Sequence, residues 1–263
     1  MRYSILWLLL PTVFAAWTAA AKARVERVEV LSREVVAGGA AFGASGAYEK
    51  IRGRAWLALE PHAPANAGIT DLALATRDAR GLVRFSAEFL MLRPADPGSG
   101  NGSLLYEVNN RGNIAILSQL NEAPAGNDPS AAADFGNGFL LEQGFTLLWS
   151  AWTWDVAADS RQWRLILEPP VATEAGKPIT GKVAYELLVD RRSKTATFTG
   201  IQGVAYRSAE DGAPDAVLTI RDRPEGPRRI IPRSRWWFVP SPDGGVPGQL
   251  SLEEGSSPGI SMS

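Results

Sequence analysis

Residues 255–259 read Gly-Ser-Ser-Pro-Gly, the Gly-x-Ser-x-Gly spacing found around the nucleophile of serine esterases. That chemistry needs a serine delivered by a strand to a strained turn, a helix starting at once behind it, and an imidazole to take the hydroxyl proton. Ser257 is poorly supplied with all three. Pro258 removes the N–H of the residue after the serine, the usual oxyanion donor, and residues 260–263 are too few for a helix. The chain holds a single histidine, His62, inside the Pro-rich stretch EPHAPANAG, where nothing nearby in sequence orients its ring. It reads as a solvated loop histidine, so no catalytic residue is expected from either motif.

A second stretch, LLYEVNNRGN, has an apolar run at 104–108 that ends in Asn109, Asn110, Arg111 and Gly112. A small polar loop between a strand and a helix is where nucleophile-elbow enzymes place their second oxyanion donor. The same residues also make an ordinary strand-terminating turn, for which Asn and Gly are common. Both readings stay open, with Asn110, Arg111 and Gly112 as the candidates. Trp149, Trp152 and Trp154 cluster at the end of the next apolar run. They line a pocket or pack the strand end, and Trp152 joins the substrate-binding candidates. One histidine, no cysteine and no Asp-x-Asp-x-Asn-Gly loop leave no metal site expected, with Asp155 and Asp159 standing apart in a loop. No cofactor is expected either.

The elements that must position these residues are mostly strands. In RFSAEFLMLRP, Phe85, Ala87, Phe89 and Met91 fall on one face while Ser86 and Glu88 open the other, the period of a half-buried strand. VERVEVL, RAWLALE and TDLALAT read the same way, separated by Gly, Pro and Asn clusters. Residues 24–100 are therefore read as a β-rich module. Residues 101–155 change character. Asp128 is placed to cap a helix with Pro129 at its first position, Gly136 and Gly138 interrupt it, and Gly144 ends it before the apolar run 145–149. Strand, helix and strand make a βαβ unit, with 104–108 and 145–149 as parallel neighbours. Residues 156–239 are read as a β-rich insertion. It contains a hairpin over 183–198 and strands at AVLTIRD and RRIIPRSRWWFV, and the Pro-, Gly- and Ser-rich residues 240–263 form a flexible tail. The fold class is α/β with a large β-rich portion: a sheet containing the βαβ unit plus an antiparallel β module.

A formal net charge of −1 with interspersed signs gives no basic stripe for nucleic acid. The first 23 residues carry Arg2, an apolar run from Ile5 to Phe14 and small residues at Ala19, Ala20 and Ala21, the order of a secretory signal. An uncleaved membrane anchor is the alternative, since Tyr3 to Ala21 carry no charge. With export, the mature chain is secreted or periplasmic and keeps no stable membrane insertion.

Four segments together resemble the N-terminal part of a bacterial family described as α/β-hydrolase domain-containing proteins. They are SREVVAGGAAFGASGAYEKIRGRAWLALEP, LLYEVNNRGN, DFGNGFLLEQGFTLLWSAW and IPRSRWWF, and with what lies between them they cover most of residues 25–238. The resemblance implies an esterase-like serine hydrolase acting on a small ester-like substrate, with an incomplete α/β-hydrolase-like sheet and with Asn110, Arg111 and Gly112 near its oxyanion site. It also implies that the nucleophile elbow, the acid and the histidine of such proteins lie beyond the RSRWWF-like segment. A non-catalytic β-rich module for carbohydrate or an apolar ligand, with tryptophans as stacking surface, is the other function class. The signal-like N-terminus predicts a mature chain beginning after Ala21 or Ala23, which mass spectrometry of the exported product reads directly; an intact Met1 on cytoplasmic protein is the contrary result.

Overall fold

A computed structural model describes residues 23–156, 163–184, 186–189, 193–197, 214–239, 249–256 and 260–262. Residues 1–22 of the expected signal, with the cleavage point after Ala21, lie outside the described residues, as does Ser257. Three long strands open the fold: β1 (Arg24–Val35), β2 (Tyr48–Leu59) and β3 (Val83–Pro94). They pair antiparallel in sequence order, and the sheet continues without a break into β4 (Leu104–Tyr106) and β5 (Thr146–Ser150). Strand order among the described residues is β1-β2-β3-β5-β4, with the short β6 (Leu167–Glu168) also on β3. β5 lies antiparallel to β3 and parallel to β4, Leu105 opposite Leu147. The expected parallel neighbours are therefore present. The chain is β-rich, with one mixed sheet and smaller antiparallel ones.

In the crossover joining β4 to β5 the interruption at Gly136 and Gly138 and the last helical piece before Gly144 are present as expected, but the part starting at Asp128 is only a 3-10 turn. The crossover holds α1 (Ile116–Leu120), a 3-10 turn at Ala132–Phe135 and α2 (Phe139–Glu142). Gly136 and Gly138 take positive φ of 55° and 72°, which separates the last two pieces. A Cβ on Gly136 would sit 2.0 Å from the Asn121 carbonyl, so only glycine lets the two passes of chain approach there. Gly144, at φ 77°, does end α2, its N–H donating to the Leu141 carbonyl. Asp128 caps nothing. Its carboxylate lies against Lys50 and Arg52 of β2, and Asp134 instead takes the amides of Ser130 and Ala131 at 2.9 and 2.8 Å.

The crossover covers one face of the sheet and makes the core. Leu90 and Leu92 of β3, Leu147 and Trp149 of β5, and Phe135, Leu140 and Leu141 of the crossover are closed to solvent. The more buried face of β3 is thus the one carrying Leu90 and Leu92, and Ser86, expected to open toward water, is buried beside them. The covering layer sits on that side, so alternation alone could not choose the face. The opposite face carries Val28, Val30, Leu104 and Tyr106 at 45–59% exposure. TDLALAT is not a strand either. Asp71 turns left-handed at φ 56° and Leu72–Leu74 form a 3-10 turn that packs Leu72 and Ala75 on Leu59 and Val83.

The remaining chain makes small antiparallel sheets. A short hairpin joins β7 (Thr173–Glu174) and β8 (Lys177–Pro178). Then come β9 (Leu187–Val189), β10 (Ser193–Thr197), β11 (Leu218–Arg221), β12 (Arg229–Ile231), β13 (Trp236–Val239), β14 (Gln249–Ser256) and β15 (Ile260–Met262). One sheet runs β10-β14-β13 and another β12-β11-β15-β9. Among the described residues the two arms of the expected hairpin do not pair with each other: β9 takes β15 and β10 takes β14. Pro232, with no N–H for a ladder, splits the expected strand RRIIPRSRWWFV into β12 and β13 around a 3-10 turn at Arg233–Arg235. Within the expected flexible tail, 249–256 and 260–262 are strands held by these partners.

Tyr48 supplies a pH test of this packing. It is closed to solvent, and its hydroxyl donates to the carbonyls of Leu141 at 3.0 Å and Phe145 at 2.9 Å. Burial pushes its pKa up to about 12 from 10.0. The folded state holds this proton more tightly than the unfolded one, so the contribution is complete below pH 10.0 and declines as pH rises toward about 12. Urea unfolding should show wild type losing more stability than Tyr48→Phe across that window. Tyr48→Phe should also lose about 1–2 kcal/mol at neutral pH with its hydrogen bonds. Parallel pH curves would refute the assignment.

Candidate functional site

The carboxyl ends of the parallel strands β4 and β5 meet at the segments 107–116 and 151–156. Alternation along β4 turns Leu105, Glu107 and Asn109 toward the covered side. Glu107 lies there with its two oxygens accepting the amides of Ala115 at 2.9 Å and Ile116 at 3.0 Å, while the Trp149 indole N–H donates to it as well. It closes the first turn of α1, and its acceptor capacity is largely used.

Asn109 is 1% exposed and anchors the turn beyond the strand end. Its amide nitrogen donates to the Ser150 carbonyl at 2.7 Å, its amide oxygen accepts the Gly112 N–H at 2.9 Å, and its own carbonyl accepts the Trp152 indole N–H at 2.6 Å. Residues 110–113 then form a tight turn closed at both ends. Asn110 donates to the Asn113 carbonyl at 3.1 Å and Asn113 to the Asn110 carbonyl at 3.0 Å. The central residues Arg111 and Gly112 both have positive φ, 49° and 77°, the hand of a type I′ turn. Gly112 is required here for a second reason: a Cβ would sit 2.6 Å from the Leu165 carbonyl oxygen. Asn127 holds the turn from behind, donating to the Asn113 side chain and accepting from the Ile114 N–H.

The structure brings all four candidate residues together. Of the four amides in the turn, those of Asn110, Gly112 and Asn113 are donated within this loop system. Among the described residues the Arg111 N–H has no partner. Its guanidinium folds away onto Asp155, so the cation is neutralised while the amide stays available. Asn110 is exposed, and its side chain makes no hydrogen bond among the described residues. Trp152 is 52% exposed with its N–H fixed, and Trp154 is 48% exposed, while Trp149 is fully packed. The expectation that these tryptophans pack the strand end thus holds for Trp149 alone.

Sequence reasoning missed Glu107, Asn109 and Asp155. The strand period carried a signal for the first two, since both share the inward parity of Leu105. Asp155 carried none, because its partner is fixed only by the positive φ of Arg111. His62 sits exposed on the loop after β2, its backbone N–H donating to Glu60 at 3.3 Å. Ser257 lies outside the described residues, between β14, which ends at Ser256, and β15, which starts at Ile260. Among the described residues no group of three or more His, Asp or Glu is placed to hold a metal ion. No helix among them is long and apolar enough to cross a membrane. A hollow of about 60 Å³ in the crossover, lined by Ile114, Leu117, Asp128 and Asp134, is far below the size of a small-molecule pocket.

Compared with protein-family models, curated proteins and solved structures, the chain matches none of them.

The two asparagines at the start of the turn should behave differently. Asn109→Ala strips a buried anchor of two hydrogen bonds and should cost about 2–3 kcal/mol, whereas the exposed Asn110→Ala should stay within about 0.5 kcal/mol. Chemical denaturation of both variants decides it, and equal costs would mean that Asn109 does not hold the turn.

Proposed function

We propose that this chain is the N-terminal part of an exported α/β-hydrolase-type protein acting on a small ester-like substrate. In this reading the turn at 110–113 supplies one oxyanion donor, and the nucleophile, acid and base come from elsewhere in the protein. The observation that carries the reading is the unpartnered Arg111 N–H at the carboxyl end of a parallel strand. In α/β-hydrolases the second oxyanion donor is a backbone N–H on the loop between a strand and the crossover that comes after it. A donor aimed at a developing oxyanion works only if it is fixed in advance. Asn109, Asn127 and the Arg111–Asp155 pair supply that fixation. The assignment narrows what the resemblance implied: the Gly112 amide is already engaged, so Arg111 is the donor and Asn110 the neighbouring side chain.

The free edge of the sheet supports the same reading. Parallel strands normally lie inside sheets with neighbours on both sides. β4 is the last strand in its sheet among the described residues, and Leu104, Tyr106 and Val108 are 45–66% exposed. A further strand beside β4 would extend the parallel half of the sheet. The second reading, a non-catalytic ligand or carbohydrate module, is favoured by one observation, the half-exposed rings of Trp152 and Trp154. The crossover and its anchored turn are more than such a module needs.

In this reading the chain alone holds one oxyanion donor and no nucleophile, acid or base to act with it. The purified chain should therefore show no turnover of a chromogenic short-chain ester above the blank, with Ser257→Ala and His62→Ala indistinguishable from it. The same chain expressed together with the coding sequence downstream of Ser263 should gain activity. Turnover by the chain alone that vanishes in both variants, or an extended product that remains inert, would overturn the proposal.

A further inference from the structure

Arg164 stands out among the arginines of the large sheet and its cover. The others among the described residues are held by carboxylates or, for Arg77, by a carbonyl. Arg164 is half-buried, its Nε is shut off from solvent, and among the described residues no acceptor meets any nitrogen of its guanidinium. Arg54 also has a buried Nε without a hydrogen bond, as do the Nε and one terminal nitrogen of Arg52, but Arg52 is ion-paired with Asp128 and Arg54 with Glu88 and Glu168. A guanidinium does not lose its proton in a protein, so Arg164 cannot relieve its desolvation by becoming neutral. A partly buried charge of this kind is costly unless something pairs with it.

Its place in the fold says where that partner would sit. Trp163 lies under the Arg52 guanidinium at 4.5 Å, and Leu165 is closed to solvent with its N–H donating to the Gly112 carbonyl at 3.3 Å. Arg164 is fixed between these two anchors. Its Cβ lies 3.0 Å from the point that a Cβ on Gly112 would occupy, so the side chain starts beside the candidate turn. The one cation within the turn itself, Arg111, is already neutralised by Asp155. Among the described residues Arg164 is thus an unpaired cation whose side chain starts beside the turn that carries the unpartnered Arg111 N–H.

We infer that Arg164 binds an oxyanion, so that the ligand taken beside residues 110–113 carries a carboxylate or phosphate group. The planar fork of the guanidinium matches either group with two parallel hydrogen bonds. That this ligand is also an ester rests on the hydrolase reading; the anion site itself does not.

Thermal unfolding of the full chain in a chloride buffer tests this without any catalysis. Sodium succinate and inorganic phosphate form separate arms, and diethyl succinate is the uncharged control. At least one anion should raise Tm saturably, by about 5–10 °C at roughly 100 times its Kd, and the arm that responds identifies the group. Arg164→Gln should abolish the rise, and Arg164→Lys should keep part of it. In buffer without these anions Arg164→Gln should melt no lower than wild type, because it removes an unpaired charge. No rise with either anion, or an equal rise in Arg164→Gln, would overturn the inference. Failure of ester hydrolysis in the extended product would leave it standing.

Discussion

The ammonium of Lys50 lies on the covered face of the large sheet with 1% of its side chain exposed. Glu34 of β1 reaches it at 2.8 Å, and Asp128 and Ser130 of the crossover reach it from the other side. A buried ammonium without partners would cost several kcal/mol or lose its proton, so the crossover can lie on this sheet only in the position that completes the cluster. Burial disfavours the ionised form of Asp128, but hydrogen bonds and charge from Lys50 and Arg52 outweigh it and hold the carboxyl below its usual value. Two residues away on the same face, Tyr48 fastens the end of the crossover through the carbonyls of Leu141 and Phe145. One strand thus grips both the middle and the end of the segment that a parallel β4–β5 pair requires.

Those grips are needed because the crossover has little regular structure. A long helix would satisfy its own amides and carbonyls, whereas fragments of four or five residues cannot. Side chains take over the task. Glu107 closes the start of α1, and Asp134 takes the amides before the 3-10 turn. Asn121, closed to solvent, accepts from Leu140 and donates to Phe135, while its carbonyl takes the Asn137 N–H. Buried polar groups that would be liabilities in an oily core are the scaffold here. The candidate site inherits its rigidity from them, since Glu107 and Asn109 come from the same few residues at the end of β4.

How far the sequence could be read depends on which interactions are local. The strands of the large sheet were legible because alternation is a property of neighbouring residues, and the parallel pair because two short apolar runs needed a crossover between them. The choice of buried face was not legible, since Leu90 and Leu92 are buried by Phe135, Leu140 and Leu141, tens of residues away. Asp128 looked like a helix cap because capping is the local use of an aspartate, and a charge partner 78 residues earlier overrides it. The pairing of β9 and β10 failed for the same reason: proximity in sequence favoured a hairpin, while each strand takes its partner from the last fifteen residues.

The turn at 110–113 shows where pattern reading stops in a functional site. Asn and Gly signalled a turn correctly, and both readings of it, chain reversal and oxyanion loop, remain compatible with its shape. What separates the amides from one another is their bonding. Asn109 consumes the Gly112 N–H through its side chain, and the pairing of Asn110 with Asn113 consumes two more, which leaves the amide of Arg111. An Asn-Arg-Gly-Asn sequence cannot encode that outcome by itself, because it depends on Asn109 being pulled inward by the Ser150 carbonyl of β5. The same contact aligns the ends of the two parallel strands. Register between β4 and β5 therefore decides which backbone donor the turn presents, and any change that slid β4 against β5 would move that donor even if every residue of the turn were kept.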